Sequence, residues 1–424
     1  MRATTAFNKM LALPGTLVTG IQFGPDGITV DVRLRGSRLR CPCGWTTNAT
    51  YDTRPEPRRW RHLDLAGSRL WLRGRLRRLR CQPCGRVVTE AVPWARPKAR
   101  FSRDYEDTVA WQAQRMDKTS VAKLVRCSWE SVAAIVGRVV AEHINDTRLD
   151  NLLRIGVDEI AYRKGHRYLT VVADQDHDGA VVWIGEGKSA GTLNQFYDEL
   201  GPERSAQLEA VSLDMGQAFV KATHAKASNA TICFDPFHVV QMVNRALDET
   251  RRAAWSATRQ KANLPARTPL GRAPQDPAAQ ALKKTRWALL KDQQNWTPDQ
   301  AEKIATLRRM RHELYRAWDL KEDFRRIYRL TDGEDPATHF DAWLARACRS
   351  RIPAMVQLSR NIRKQRAGIL AAIEHGLSNS RLEGLNSKTR LINHRGYGHH
   401  SVAALASMIY LCSGGITIEL PTRT

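Results

Sequence analysis

Three carboxylates occupy positions where an isolated acid is hard to accommodate. Asp158 interrupts the strand-like run Ile155-Gly156-Val157-Asp158-Glu159-Ile160, and Asp214 closes the run Ala210-Val211-Ser212-Leu213. Glu383 opens the helical stretch Glu383-Gly384-Leu385-Asn386-Ser387-Lys388. Burying a carboxylate in an apolar run is costly unless a cation or hydrogen-bond donors satisfy it. Three such acids converging on one pocket repel one another, and a divalent cation reverses that balance. The chemistry expected of such a set is that of metal-held carboxylates.

Neighbouring acids compete for these roles. Glu159 follows Asp158 and, by strand alternation, should face the other side of the sheet. Asp174, Asp176 and Asp178 flank a turn and read as loop residues. Asp235, in Phe234-Asp235-Pro236-Phe237-His238, sits at a strand end and is the serious rival to Asp214 as the middle acid. Asp235 and His238 read as pocket supports, against the plainer role of a helix cap or sheet packing. Asn386 and Arg390 follow Glu383 at i+3 and i+7, on its helical face.

The elements that must position these residues can be read from periodicity. Strands are expected at 154–161, 166–174 and 179–186, then a helix at 192–200. A strand at 208–214, a helix at 217–227 and a strand at 230–235 follow. This is the order of a ribonuclease H-like mixed sheet, a layered α/β architecture. Beyond Phe237 the chain reads as helical for about 140 residues, broken at 264–277 and 332–336 by proline- and glycine-bearing segments. Trp255, Trp287, Trp296, Trp318 and Trp343 lie there, as helix-packing core or as surfaces for unpaired bases.

Upstream, Cys41-Pro42-Cys43-Gly44 and Cys81-Gln82-Pro83-Cys84-Gly85 form two knuckles, each ending in glycine. Cys41, Cys43, Cys81 and Cys84 suit a closed tetrahedral zinc site of structural type, although the first pair is spaced one residue short of the usual C-x-x-C. Arg58, Arg59, Arg61, Arg73, Arg75, Arg77, Arg78 and Arg80 crowd the segment between the knuckles, with Trp60 and Trp71 among them. Arginine forks match phosphates bidentately, which suggests contact with a nucleic-acid backbone. From Lys118 to Val136 the pattern fits a helix-turn-helix with Thr119 and Ser128 as N-caps. Its second helix would present Trp129, Glu130, Ser131 and Ala134 to a major groove.

The overall charge agrees. Lys plus Arg total 67 against 43 acids, a net +24 over 424 residues. A polyanionic partner follows, with nucleic acid the first candidate. No apolar run approaches the roughly 18 residues needed to span a bilayer, and no signal-peptide pattern opens the chain. A cytoplasmic location on the bacterial nucleoid, with reduced thiols, is expected.

Taken together, the acids, the Phe234-Asp235-Pro236-Phe237-His238-Val239 motif and the cysteine knuckles resemble the DDE transposases of bacterial insertion sequences. The closest likeness is to the branch with an N-terminal zinc-binding segment. The Glu383 segment continues to Tyr397-Gly398, which is similar to that family's ending, and departs from it at His399-His400. The resemblance implies that Asp158, Asp214 and Glu383 hold two Mg2+ (or Mn2+) ions per active site. Such a pair, about 4 Å apart, activates water or a 3′-hydroxyl and stabilises the leaving oxygen. It also implies double-stranded DNA partners, namely the terminal inverted repeats of the element and a target, bound by a homodimer or larger homo-oligomer. Lys388 and Arg390 would join the arginines, Trp129 and Ser131 as DNA contacts.

The domains expected are a zinc-binding basic β module (1–100), a helix-turn-helix (101–150) and the first part of the catalytic core (151–250). A helical insertion (251–376) and the final core segment carrying the third acid (377–424) complete the chain. Two other readings share this architecture: a DNA-binding regulator without catalysis, and a nuclease that cuts without joining.

Overall fold

Alternating Ile28, Val30 and Val32 give one strand a buried and an open face, and a sheet is built around it. A computed structural model describes residues 2–144, 146–163, 165–261, 282, 284–310, 312–331, 333–378, 380–396, 399 and 401–421. The chain forms two compact units, Met1–Arg148 with Leu391–Thr424, and Leu149–Arg390. The expected break at 264–277 lies outside the described residues, as do Tyr397, Gly398 and His400.

In the first unit, helix α1 (Ala3–Leu11) precedes strands β1 (Thr16–Gly24) and β2 (Gly27–Leu34). Gly27 turns between them with φ of +108°, and a Cβ there would lie 2.2 Å from the Arg69 carbonyl oxygen, so no other residue fits. Two short strands, β3 (Leu39–Arg40) and β4 (Thr46–Thr47), carry the first cysteine knuckle. β5 (Asp52–Thr53) is followed by the hairpin of β6 (Arg58–Leu65) and β7 (Ser68–Gly74). β8 (Arg77–Cys81) and β9 (Arg86–Thr89) flank the second knuckle. The main sheet runs β1-β2-β7-β6, and β5-β8-β9 form a second sheet. Trp60, Leu70, Leu72 and Val30 fill its core, with Trp94 edge-on to Trp60 at 5.5 Å.

Three helices follow: α2 (Arg103–Ala113), α3 (Lys118–Leu124) and α4 (Trp129–His143). Ser102 and Ser128 cap α2 and α4 through their side chains. The expected cap Thr119 is displaced by Asp117, whose carboxylate accepts from the Ser120 N–H at 2.9 Å. A carboxylate at this end also complements the helix dipole, which favours Asp117 over a threonine two residues on. Val132, Ile135, Val136, Val139 and Val140 form the buried stripe of α4. Glu106, fully buried on α2, accepts from Arg138 of α4 at 2.9 Å and from Arg96 at 3.3 Å.

The second unit is built on five strands: β10 (Arg154–Arg163), β11 (Arg167–Asp174), β12 (Val181–Glu186), β13 (Ala210–Leu213) and β14 (Thr231–Phe234). Their order is β12-β11-β10-β13-β14. β10, β11 and β12 are antiparallel neighbours, whereas β10–β13 and β13–β14 are parallel. Parallel pairing requires crossovers, which are supplied by α5 (Ala190–Leu200), α6 (Pro202–Ser205) and α7 (Gln217–Lys226). Leu193, Phe196 and Phe219 of these helices join Ile155, Val157 and Val211 in the core.

α8 (Pro236–Lys261) opens the helical region, followed by α9 (Arg286–Leu290), α10 (Pro298–Arg309), α11 (Glu313–Arg326), α12 (Pro336–Arg349), α13 (Pro353–Lys364) and α14 (Arg366–Glu374). Trp318 and Trp343 are core residues here, whereas Trp287 is 63% exposed. Gly368 lets α14 lie close on β14, since a Cβ at that position would meet the Phe234 ring at 2.5 Å. The last helices are α15 (Ser380–Arg395) and α16 (Val402–Ser413). Within the first unit, α16 packs on α4, and the Gln114 amide donates to the Leu411 carbonyl at 2.8 Å. No helix among the described residues is long and apolar enough to cross a membrane.

Candidate functional site

β10, β13 and β14 run parallel; Asp214 and Asp235 directly follow the carboxyl ends of β13 and β14, and Asp158 lies midway along the longer β10. β13 pairs with β10 as far as Gly156 opposite Ser212, and with β14 as far as Leu213 opposite Phe234. Continued past the last paired residues, these registers bring Asp158, Asp214 and Asp235 into one row. In-register residues of a sheet project from the same face. The carboxyl edge of parallel strands is also where open α/β sheets leave a crevice for ligands.

Asp158 is held by two donors. The Glu159 backbone N–H reaches its Oδ1 at 2.7 Å, and the Asn386 side-chain amide reaches its Oδ2 at 2.6 Å. Even so, burial pushes the Asp158 carboxyl above its ordinary value, with Asp235 adding to the rise and His238 opposing it. Asp235 is 1% exposed, and His238 Nε2 lies 3.8 Å from its Oδ2. Asp214 turns back on the chain and accepts from the Gly216 N–H at 2.6 Å. A Cβ at Gly216 would itself sit 2.6 Å from Asp214 Oδ1, so a larger residue there would push the carboxylate aside.

Glu383 lies on α15, three positions before Asn386; its side chain is outside the described residues. Lys388 and Arg390, on the same helix, are exposed.

Glu159 nonetheless feels the acids. Its carboxyl is raised first by burial and next by Asp214, with Asp158 adding to the rise, and Lys188 Nζ stands 3.8 Å from it. β10 stays paired with β11 along this stretch, Glu159 lying opposite Thr170, while its pairing with β13 ends at Gly156. Lys188, in the loop before α5, carries no sequence signal that would single it out.

The donor set fits a hard divalent cation: carboxylate oxygens, one of them desolvated and raised beside a second buried acid. Among the described residues the acids are not drawn together as tightly as the cysteines, whose ligand atoms all lie within 4.8 Å of one another.

Those four are Cys41, Cys43, Cys81 and Cys84. Cys41 Sγ lies 3.8 Å from Cys84 Sγ, and Cys43 Sγ lies 3.6 Å from Cys81 Sγ. Zinc–sulfur bonds of about 2.3 Å give tetrahedral edges of about 3.8 Å, so the cluster is compatible with a structural zinc ion. The short C-x-C knuckle succeeds because β3 and β4 close it: the Cys41 N–H donates to Trp45 O at 2.7 Å, and the Gly44 N–H to Cys41 O at 2.9 Å. The Trp45 backbone N–H, ahead of the neighbouring thiols, holds the Cys43 thiol down to about 7.

Several of the arginines expected on DNA are engaged within the module. Arg73 forks onto Asp31 at 2.6 and 2.9 Å, and Arg77 onto Glu90 at 3.1 and 2.8 Å. Arg78 pairs with Asp52, Arg61 with Asp64, and Arg58 donates to the Ala99 carbonyl at 2.5 Å. Arg59, Arg75 and Arg80 are exposed, Arg59 lying over the Trp71 ring at 4.5 Å. On α4, Glu130 and Ala134 are exposed, Trp129 is half-buried with Lys118 over its ring at 5.1 Å, and the Ser131 N–H is taken by the Ser128 cap.

The transposase family of the ISL3 DDE type matches residues 155–409, and the helix-turn-helix domain of transposase family ISL3 matches residues 90–140. This chain belongs to the ISL3 transposases. Over its whole length the transposase is 37% identical to the transposase for insertion sequence element IS1557 of Mycobacterium tuberculosis, covering 98% of that protein. It is 27% identical, over 84% of each chain, to the transposase for insertion sequence element IS1001 of Bordetella parapertussis. The transposase is thus an enzyme of DNA cleavage and transfer that binds DNA with its helix-turn-helix and uses divalent metal in its DDE domain.

Proposed function

We propose that this transposase binds the terminal inverted repeats of an insertion sequence and uses Asp158, Asp214 and Glu383 to cut and join DNA strands on a ribonuclease H-like core. The observation that carries the reading is the Asn386–Asp158 hydrogen bond, because it brings the helix of the third acid to the strand of the first. The strand order, three antiparallel strands followed by two parallel ones, supports the ribonuclease H-like assignment.

Two Mg2+ ions held by the three acids would activate the attacking hydroxyl and stabilise the leaving oxygen. The residues of the chain prepare for that. Asn386 and the Glu159 N–H fix the carboxylate of Asp158, and the Gly216 N–H fixes Asp214. Asp235 and His238 line the same edge as supports. Cys41, Cys43, Cys81 and Cys84 would hold zinc, and the exposed Arg59, Arg75, Arg80, Lys388 and Arg390 would meet phosphates. Joining requires two element ends together, so the working form is a homodimer or larger on the nucleoid.

The test is strand cleavage and strand transfer on a duplex taken from the element end, in Mg2+. Asp158→Asn, Asp214→Asn and Glu383→Gln should each abolish both reactions and retain DNA binding. Intact cleavage in Asp158→Asn or Glu383→Gln would show the site assignment to be wrong. Cleavage without transfer by the wild-type protein would reduce the activity to that of a nuclease.

A further inference from the structure

The zinc-bearing sheet and the helix-turn-helix are sewn together along β6. The Arg61 N–H donates to the Arg100 carbonyl at 2.9 Å, the Ser102 N–H to the Arg61 carbonyl at 2.8 Å, and His62 Nδ1 lies 2.7 Å from Ser102 Oγ. The tip of the β6–β7 hairpin then meets the turn that leads into α4. There Arg126, with φ of +54°, donates to the Gly67 carbonyl at 2.7 Å and pairs with Asp64. Arg61 pairs with the same carboxylate, and its side chain is only 5% exposed. Arg69, the second residue of β7, is exposed and forms no ion pair among the described residues. Arg126 and Arg69 both bear on Arg61, each opposing its charge.

Two guanidinium groups, Arg61 and Arg126, therefore share one carboxylate at the entry to the helix that a helix-turn-helix lays in the major groove, and the exposed Arg69 lies on the same hairpin just past its tip. Like charges so placed repel, and an anion is the natural complement. Arginine forks match phosphate geometry, and phosphate contacts beside the groove fix the register of the reading helix. We propose that the β6–β7 tip and the turn before α4 form one clamp for a DNA backbone phosphate, with Arg69 and Arg126 as its cations and Asp64 setting their position. The family match to the helix-turn-helix begins at residue 90, so it already includes the segment that is paired with β6. The clamp rests on the reading that this module binds duplex DNA.

Fluorescence anisotropy of the full-length protein on an element-end duplex and an unrelated duplex, across a KCl series, tests it. Arg69→Ala is the main variant, because that side chain is exposed and no ion pair among the described residues is lost with it. It should weaken both duplexes evenly and lower the slope of log K against log[salt] by about 1, and Arg69→Ala with Arg126→Ala by about 2. A single methylphosphonate at the clamped position should weaken the wild-type protein and leave Arg69→Ala with Arg126→Ala unaffected. Asp64→Asn, which removes the one balancing charge, should tighten binding. An unchanged slope in Arg69→Ala, or no phosphate whose neutralisation separates wild type from the double variant, would overturn the clamp. A wild-type protein that binds neither duplex would instead sink the DNA-binding reading itself.

Discussion

Asn386 donates its side-chain amide to Asp158 at 2.6 Å, across 228 residues of sequence. The contact fixes one carboxylate oxygen, and the Glu159 N–H fixes the other. Asn386 is itself 8% exposed, and its Oδ1 has no donor among the described residues. A buried amide with one end engaged and one end open can orient a hydroxyl or water beside the acid.

Asn386→Ala should therefore cost about 10–100-fold in cleavage rate or metal affinity, the usual range for a residue that orients a metal-binding carboxylate. Single-turnover cleavage combined with Mn2+ titration by electron paramagnetic resonance would separate the two. Wild-type values in both would mean that the hydrogen bond has no bearing on the site.

The middle acid can be decided by a direct comparison. Asp214→Asn should reduce metal-dependent cleavage to background, and Asp235→Asn should leave a residue of it, down about 10–100-fold as expected for a support. The opposite ranking in the same assay would make Asp235 the middle acid.

Metal removal should act on the first unit separately from catalysis. A structural zinc site in a small module contributes binding free energy of about 10–16 kcal/mol to folding. Stripping the cysteine cluster with a thiol-compatible chelator, or Cys81→Ser, should melt β3–β4 and β8–β9. Released zinc measured by a colorimetric dye, alongside loss of amide-exchange protection at Leu39 and Leu79, would report it. A chelated protein with unchanged exchange would argue against a metal role for the four thiols.

The β11–β12 turn offers a pH prediction. His177 Nδ1 lies 2.7 Å from Asp174 Oδ2, and this hydrogen bond raises the His177 value above the ordinary 6.5. With the folded value raised, the stability contributed by the pair is fully present below pH 6.5 and is lost as pH rises through the folded value. Imidazole chemical shifts should show a titration above 6.5 that moves downward in Asp174→Asn. Identical midpoints in the two proteins would refute the pairing.

The succession of strands along the chain was legible because runs such as Leu169-Thr170-Val171-Val172, apolar or β-branched, are buried on both sides, and such runs survive without knowledge of their neighbours. Asp158 and Asp214 stood out for the opposite reason, as polar interruptions in that pattern. What escaped were relationships between segments. Nothing local says that Asp31, Asp52 and Glu90 will engage Arg73, Arg78 and Arg77. Nothing local says that Glu159 will feel the charge of Asp214, which raises its carboxyl after burial does. Asp117 displaced Thr119 as a cap within two residues, the scale on which helix ends are hardest to read.

Gly216 has a consequence for the history of the gene. Copies of a mobile element accumulate substitutions, and glycine to alanine is elsewhere among the mildest. At this position the added methyl carbon would sit 2.6 Å from Asp214 Oδ1 and would have to displace the acid or the chain. With Asp214 in its proposed role, one small, fold-preserving change would silence a copy while leaving its DNA-binding module intact, and the proposed enzyme would become an occupant of its own element's ends.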